Sequence, residues 1–149
     1  MFTYNSADEV VHAAFCIMEA KMADAENFTS PEIASNYLRL RLGQSEREIF
    51  CVLFLNSNHQ LISAEDLFLG TIDQASVYPR EVVKRALQLN ASSCILSHNH
   101  PSGNTTPSDA DRNITRRLQD ALQLIAVSVI DHIIVGPSGS TSFAEKGLI

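Results

Sequence analysis

An uninterrupted apolar run, Ile49 to Leu55 (IFCVLFL), constrains the fold of this chain more than any other feature. Such a run is typical of a strand in the middle of a sheet that is covered on both faces. Helical periodicity precedes it over residues 7–24 and 31–42, and two further amphipathic patterns follow it. With 149 residues, 45% of them hydrophobic, the chain can bury a core that needs no disulfide or structural metal. These features predict an α/β (α+β) architecture with helices and strands interleaved around one sheet.

Capping and turn residues predict where the elements begin and end. Ser30 and Gly43 bound a second helix, in which Ile33, Tyr37 and Leu40 share one face. The first helix carries apolar residues at helical spacing, namely Val10, Val11, Ala14, Phe15, Ile17, Met18 and Met22. Further elements are predicted as helices from Pro79 and Ser108, as strands over residues 60–69, 93–97 and 125–135, and as a short edge strand at 142–144.

The charge balance and the apolar runs exclude several classes of protein. The 11 Lys+Arg against 17 Asp+Glu give a net charge of -6, which argues against a protein whose main task is neutralising phosphates. The N-terminal residues lack the basic and apolar regions of a signal peptide. The longest apolar-rich run, Leu122 to Ile130, is shorter than the roughly 20 residues that a bilayer requires. We therefore expect a soluble cytoplasmic protein that binds neither DNA nor a membrane.

The three cysteines, Cys16, Cys51 and Cys94, are far apart in the sequence and lie among apolar residues. None of them forms a CxxC pair. An unpaired cysteine in a reducing compartment usually behaves as a small buried hydrophobe. We therefore expect three core thiols.

Two histidines, His98 and His100, lie two residues apart at the end of a predicted strand. On extended backbone such residues point to the same side, so both imidazoles can reach one ion. Pro101 has no N–H and cannot continue a central ladder, which places the pair where the strand leaves the sheet. Ligands commonly bind at such strand ends in α/β proteins. Taken alone, however, an HxH pair fits two polar loop histidines better than a metal site.

Asp111 changes this balance, because it lies in the first turn of the helix that follows the histidine loop. It precedes Ile114 by three residues and Leu118 by seven, so its carboxylate lies on the inward stripe. Ser108 and Asp111 also form a capping-box pattern, which explains Ser108 without a metal but does not explain two histidines at a neighbouring strand end. Two imidazoles and one carboxylate nevertheless suit Zn²⁺ and leave a fourth tetrahedral position for water, as in catalytic sites.

A hydrolytic site of this kind needs a general base, and Glu48 is the leading candidate. It directly precedes the apolar strand, where partial desolvation raises the pKa of a carboxyl group towards neutrality. Glu46 faces the same side one alternation earlier and is the main rival, while Glu65 and Glu81 are weaker candidates. Considered alone, Glu48 also fits a solvated turn residue.

Glu48, His98-x-His100, seven further residues, Ser108, two more and Asp111 together match the JAMM signature of the MPN-domain metalloproteases. The segments REIFCVLFLN, LFLGTI, VYPREVVKRAL, SHNHPSGNTTPSDAD, DHIIVG and SFAEKGL resemble RadC-family segments in the right order. This resemblance covers residue 29 to the end. It implies a JAB/MPN-like fold with a cytidine-deaminase-like core, in which a curved mixed sheet is flanked by helices.

The resemblance also implies roles for individual residues. His98, His100 and Asp111 would ligate zinc, Ser108 would position the water or stabilise the oxyanion, and Glu48 would be the acid/base residue. Longer RadC proteins carry a helix-hairpin-helix region, which residues 1–28 do not resemble. The chain is accordingly divided into an N-terminal helical extension, 1–28, and a RadC-type domain, 29–149.

Three other histidines are assigned no ligand role. His132 lies in an apolar strand and fits a core or supporting histidine, whereas His12 and His59 fit surface positions. The predicted function is that of a zinc-dependent hydrolase, a metallopeptidase or isopeptidase acting on a peptide or isopeptide-linked protein. Hydrolysis of a small-molecule amide at the same site stays open. The alternative from another class is a non-catalytic or DNA-repair-associated accessory module with a structural metal.

Overall fold

The computed structural model describes residues 3–24, 30–70 and 77–149 of the chain. Within these residues it contains four helices and five strands. The elements, in chain order, are α1 (Ala7–Asp24), α2 (Pro31–Leu42), β1 (Ile49–Leu55), β2 (Leu61–Leu69), α3 (Pro79–Gln88), β3 (Ser93–Asn99), α4 (Asp109–Gln123), β4 (Ser128–Val135) and β5 (Ser140–Ser142).

The five strands form one mixed sheet in the order β2-β1-β3-β4-β5. Strand β1 pairs antiparallel with both β2 and β3, and β3 pairs parallel with β4 through the crossover helix α4. Six consecutive residues of β1, from Phe50 to Leu55, are buried, as expected for a strand covered on both faces. The prediction of interleaved helices and strands around one sheet is therefore confirmed.

Helices cover both faces of this sheet and create two apolar cores. On one face α2 contributes Tyr37, Leu38 and Leu42, which pack against alternate residues of β1, β3 and β4. On the other face α3 and α4 contribute residues such as Val82 and Ile114. Full burial of one such aliphatic side chain contributes about 2 kcal/mol. The site described below lies at the edge of the second core, where β3 ends and α4 begins.

The apolar faces of α1 and α2 differ in part from the prediction. Val10 and Ile17 of α1 are 47% and 57% exposed, while Phe15 and Met18 pack against the core. In α2, Ile33 is exposed, because the buried stripe runs instead through Ala34 and its neighbours one turn apart. Both helices carry more apolar residues than one contact face accommodates.

The prediction of three core cysteines is wrong for one of them. Cys51 and Cys94 are buried in the sheet, whereas Cys16 is exposed on α1. The reason is geometric, because Cys16 follows Phe15 by one residue and so points about 100° away from the face that Phe15 packs.

Three boundaries shift by a few residues. Strand β3 continues beyond Ser97 to Asn99, the strand predicted from residue 125 begins at Ser128, and the edge strand precedes Phe143. The predicted boundary between residues 28 and 29 lies outside the described residues and stays a prediction. No helix within the described ranges is long and apolar enough to cross a membrane.

Candidate metal centre

The end of β3 places two imidazoles on the same side of the sheet. His98 lies within β3 and is completely buried, and His100 follows the last strand residue. The backbone N–H of His100 still donates to the carbonyl of Val135 at 2.8 Å, so the chain stays extended through both histidines. Residues two apart on extended backbone share a side. The Nε2 atoms of His98 and His100 consequently lie 2.9 Å apart.

The N-terminus of α4 brings a carboxylate to the same point. Ser108 is the N-cap, its Oγ accepts from the Asp111 N–H at 3.1 Å, and Asp111 Oδ2 accepts from the Ser108 N–H at 2.9 Å. The predicted capping box is therefore confirmed. The same carboxylate approaches both imidazoles, with Oδ1 3.1 Å from His98 Nε2 and Oδ2 3.4 Å from His100 Nε2. Capping the helix does not divert Asp111 from the histidines.

His98, His100 and Asp111 each offer one ligand atom, and these atoms lie within 4.8 Å of one another. The group can hold a metal ion. His98 and Asp111 are almost fully buried, and His100 is 16% exposed, so the centre opens to solvent on the His100 side. Two imidazole nitrogens and a carboxylate oxygen are a donor set suited to zinc.

The hydrogen bond on the far side of His100 fixes which of its nitrogens carries the proton. Nδ1 lies 2.7 Å from the carbonyl oxygen of Asn104. A carbonyl oxygen can only accept, so Nδ1 carries the hydrogen. In the neutral ring Nε2 then presents its lone pair to the centre.

A longer chain of hydrogen bonds fixes the proton of His98 in the same way. The Thr115 hydroxyl donates to the backbone carbonyl of Asp111 at 2.6 Å, so it must accept from His132 Nδ1 at 2.5 Å. Neutral His132 then accepts at Nε2 from His98 Nδ1, 2.8 Å away. When its ring is neutral, His98 therefore also turns an unprotonated Nε2 to the centre, the form that binds metal.

The electrostatics of His132 agree with this assignment, and those of Asp111 and His100 favour a positive charge at the centre. Burial lowers the pKa of His132 well below its usual value, aided by the adjacent His98, so its ring is the neutral acceptor that the chain requires. Burial opposes ionisation of Asp111, but the adjacent His100 and His98 imidazoles, when they carry a positive charge, hold its pKa below the ordinary range. The Asp111 carboxylate in turn raises the pKa of His100. A carboxylate facing two imidazole lone pairs favours a cation between them.

Among the acidic candidates, Glu48 is the one that lines the cleft leading to the centre. The open cleft has a volume of about 360 Å³, and its walls come from the loop after His100, the start of α4 and Glu48. Glu48 is half-buried and its charge adds to the effect of Asp111 on the pKa of His100. Its rival Glu46 is exposed.

The two weaker acidic candidates are engaged or exposed elsewhere. Glu65 accepts a hydrogen bond from Arg85 at 2.6 Å, and Glu81 lies on the exposed side of α3. The structure thus places Glu48 in the same cleft as His100 and Asp111. Its role as acid/base residue stays a prediction.

Ser108 lines the same cleft and is exposed to it. Its Oγ accepts from the Asp111 N–H, and a hydroxyl that accepts one bond still has its own proton to donate. Geometry therefore allows Ser108 to act at once as helix cap and as donor into the cleft.

Comparison with known proteins places this chain in a family. A family model described as the RadC-like JAB domain matches residues 28–148. The chain belongs to this RadC-like JAB family. A UPF0758 protein of Vibrio cholerae is 52% identical over 138 residues, which cover 93% of this chain and 87% of the relative.

Two other UPF0758 relatives are longer than this chain. The protein of Leptothrix cholodnii is 53% identical over 130 residues, and that of Paracidovorax citrulli 56% over 122 residues. The matches cover 59% and 52% of those relatives, respectively. Membership of the RadC-like JAB family confirms the resemblance and the fold class. The substrate and the reaction have to be inferred from the site.

Two residues of the centre were not predicted from the sequence, Thr115 and Asn104. Thr115 carries a signal, since it is a polar residue four positions after Asp111 on the buried side of α4. Asn104 contacts His100 through its backbone carbonyl, which every residue has, so its side chain gives no sequence signal. His132 is confirmed as a buried residue next to the centre, His12 is exposed, and His59 lies half-buried in the β1–β2 turn.

Proposed function

We propose that this RadC-like JAB protein is a zinc-dependent hydrolase of the metallopeptidase or isopeptidase type. The observation that carries the proposal is the pair of imidazole nitrogens whose lone pairs are fixed towards one carboxylate at the floor of an open cleft. Three protein ligands leave a fourth position for water or substrate, which distinguishes a catalytic zinc site from a closed structural one. His98, His100 and Asp111 would hold the ion.

Zinc bound there would polarise a scissile carbonyl and lower the pKa of a bound water to about 7. Glu48 would accept a proton from the attacking water and return it to the leaving amine. Ser108 would donate its hydroxyl proton to the oxygen of the carbonyl as negative charge develops there. Both side chains line the cleft from which a substrate would approach.

An extended peptide or an isopeptide-linked protein is the substrate class that we propose. The cleft is open, so it can admit a bond that lies within a longer chain rather than enclosing a small molecule. The net charge of -6 gives the chain no general attraction to nucleic acid, so we propose no DNA partner.

Metal content tests the first part of this proposal. Chelator-free protein should contain about one zinc per chain by elemental mass spectrometry, and His98→Ala and Asp111→Ala should lose it. His12→Ala is the matched control, because that histidine is exposed on α1 and should leave the zinc in place. A folded wild-type chain that takes up no zinc would leave Ser108 and Asp111 as a helix cap and favour the accessory module.

Turnover tests the second part. Glu48→Gln should keep its zinc and lose hydrolysis of peptide or isopeptide substrates found by screening, because an amide cannot accept the proton. Glu46→Gln, two residues away and exposed, should retain hydrolysis. Undiminished turnover by Glu48→Gln would remove that residue from the mechanism.

A further inference from the structure

Asn99 lies between the two histidines but points to the opposite face of the sheet, and its side chain is buried. Its amide makes hydrogen bonds to one short backbone segment. Oδ1 accepts from the Ile49 N–H at 2.7 Å, and Nδ2 donates to the carbonyls of Arg47 at 3.0 Å and Ser45 at 3.4 Å. The bonded groups lie on both sides of Glu48 in the sequence.

The segment needs such a partner because it lies outside the β1–β3 ladder. Strand β1 begins at Ile49, and its last pairing with β3 at this end joins Phe50 to His98. Towards β2, the carbonyl of Glu48 accepts from Gly70 at 2.8 Å. On the side facing β3, the Asn99 side chain supplies the hydrogen bonds to this segment, because the backbone pairing of β1 with β3 ends at Phe50. An amide fits this task, since it offers an acceptor for the N–H and donors for the carbonyls.

We propose that Asn99 is the positioning residue that fixes Glu48 at a set distance from the metal centre. The inference rests on the proposed function and adds a residue to it. Alternation along the strand aims His98 and His100 into the centre and the amide between them at the segment that carries Glu48. One short stretch of backbone thereby sets the ligands and the acid/base residue relative to each other, and small displacements of such groups strongly reduce catalysis.

Ser97 provides a matched control for Asn99. It lies on the same face of the same strand, is equally buried, and donates to the carbonyl of Ile133 at 2.8 Å. Ser97→Ala therefore removes a buried hydrogen bond from β3 without touching the Glu48 segment. Asn99→Ala removes the bonds to that segment and leaves the three candidate ligands intact.

The first measurement reports on the order and position of the backbone around Glu48 and does not require a substrate. Amide hydrogen exchange at Ile49 should accelerate at least tenfold in Asn99→Ala and stay near wild type in Ser97→Ala. With Co²⁺ as the paramagnetic probe, both variants should bind within about threefold of wild type. The paramagnetic shifts of the amides of residues 45–48 should change in Asn99→Ala, while those of α4 should not. Unchanged shifts in that segment would overturn the proposal.

The second measurement asks whether the position of Glu48 matters for catalysis. On a substrate that the wild type hydrolyses, Asn99→Ala should lower kcat at least tenfold with KM within about twofold. The double variant with Glu48→Gln should be no slower than Glu48→Gln alone, because Asn99 acts through that residue. A wild-type kcat in Asn99→Ala, or additive losses in the double variant, would contradict the positioning role.

Failure of the two proposals can be told apart. A wild-type chain that binds no Co²⁺ and hydrolyses nothing refutes the proposed function and, with it, any positioning role. A chain that binds Co²⁺ and turns over while Asn99→Ala behaves like wild type refutes the role of Asn99 alone. Should Asn99→Ala not fold, Asn99→Ser carries the same expectations, because its shorter side chain cannot span the three backbone groups.

Discussion

Removing the hydroxyl of Thr115 should weaken metal binding far more than it weakens the fold. Thr115 is buried in α4 and is the last acceptor in the chain of hydrogen bonds that runs through His132 to His98. Thr115→Val keeps the size of the side chain and leaves His132 Nδ1–H without its acceptor. His132 can regain a partner only if its proton moves from Nδ1 to Nε2 and is donated to His98 Nδ1. The proton of His98 then lies on Nε2, which faces the centre.

The loss of zinc affinity depends on whether the buried N–H of His132 is unpaired in the metal-bound or in the metal-free variant. With metal bound, His98 must keep an unprotonated Nε2, so the buried N–H of His132 stays unpaired at a cost of about 1–3 kcal/mol. That cost corresponds to roughly a 5- to 150-fold loss of affinity. Without metal, His98 Nε2–H can donate to Asp111 Oδ1, 3.1 Å away, and most of the cost is avoided.

Two measurements on the same variants check this reasoning. Zinc affinity is measured by competition with a chromophoric chelator, and the free energy of unfolding is measured in denaturant with chelator present. Thr115→Ser is the control, because it keeps the hydroxyl and should restore affinity to within a few-fold of wild type. Wild-type affinity in Thr115→Val would show that the hydrogen-bonded chain does not set the tautomer of His98.

Three further outcomes are expected elsewhere in the molecule. A thiol-exchange reagent should modify about one thiol per native chain and none in Cys16→Ser, since the other cysteines are buried. Ser108→Ala should lower the free energy of unfolding by about 1 kcal/mol with chelator present, the usual cost of losing a helix N-cap. Partial burial raises the pKa of the Glu65 carboxyl group, but the hydrogen bond from Arg85 outweighs burial and lowers this pKa below 4.5. The stabilisation by the Glu65–Arg85 pair is therefore complete above pH 4.5 and is lost as the pH falls through the lowered pKa. The difference in unfolding free energy between wild type and Glu65→Gln should therefore shrink on acidification, and a difference independent of pH would contradict this.

The parts of the site that could be predicted from the sequence are those set by local geometry. Two histidines two residues apart on a strand share a side, and Asp111 three residues into a helix both caps it and faces inward. The hydrogen-bonded chain that orients His98 could not be predicted. It joins α4 to β4 through Thr115 and His132, which are 17 residues apart in the sequence. Which polar residues meet across two elements depends on packing that local periodicity does not determine.

The same distinction explains where the fold predictions succeeded and failed. The apolar run of β1 forces burial on both faces, so its position inside the sheet, between β2 and β3, follows from its sequence. Helix α1 carries apolar residues around much of its circumference, so its periodicity does not select which of them pack. Phe15 stacks on Tyr37 with ring centroids 5.4 Å apart, and this contact orients α1 and leaves Val10 and Ile17 exposed.

The helix cap and the proposed ligand role of Asp111 are complementary rather than competing explanations. Its Oδ2 is held by the Ser108 N–H at 2.9 Å, which fixes the plane of the carboxylate and leaves Oδ1 directed at His98. The backbone carbonyl of Asp111 also receives the Thr115 hydroxyl, so one residue anchors both the carboxylate and the hydrogen-bonded chain that orients His98. Helix capping and sheet pairing therefore both help to hold the donor atoms together. Ligands that are already held in place lose little conformational entropy when a cation binds. Three protein ligands can then be enough to hold the ion, and a fourth position stays open for water or substrate.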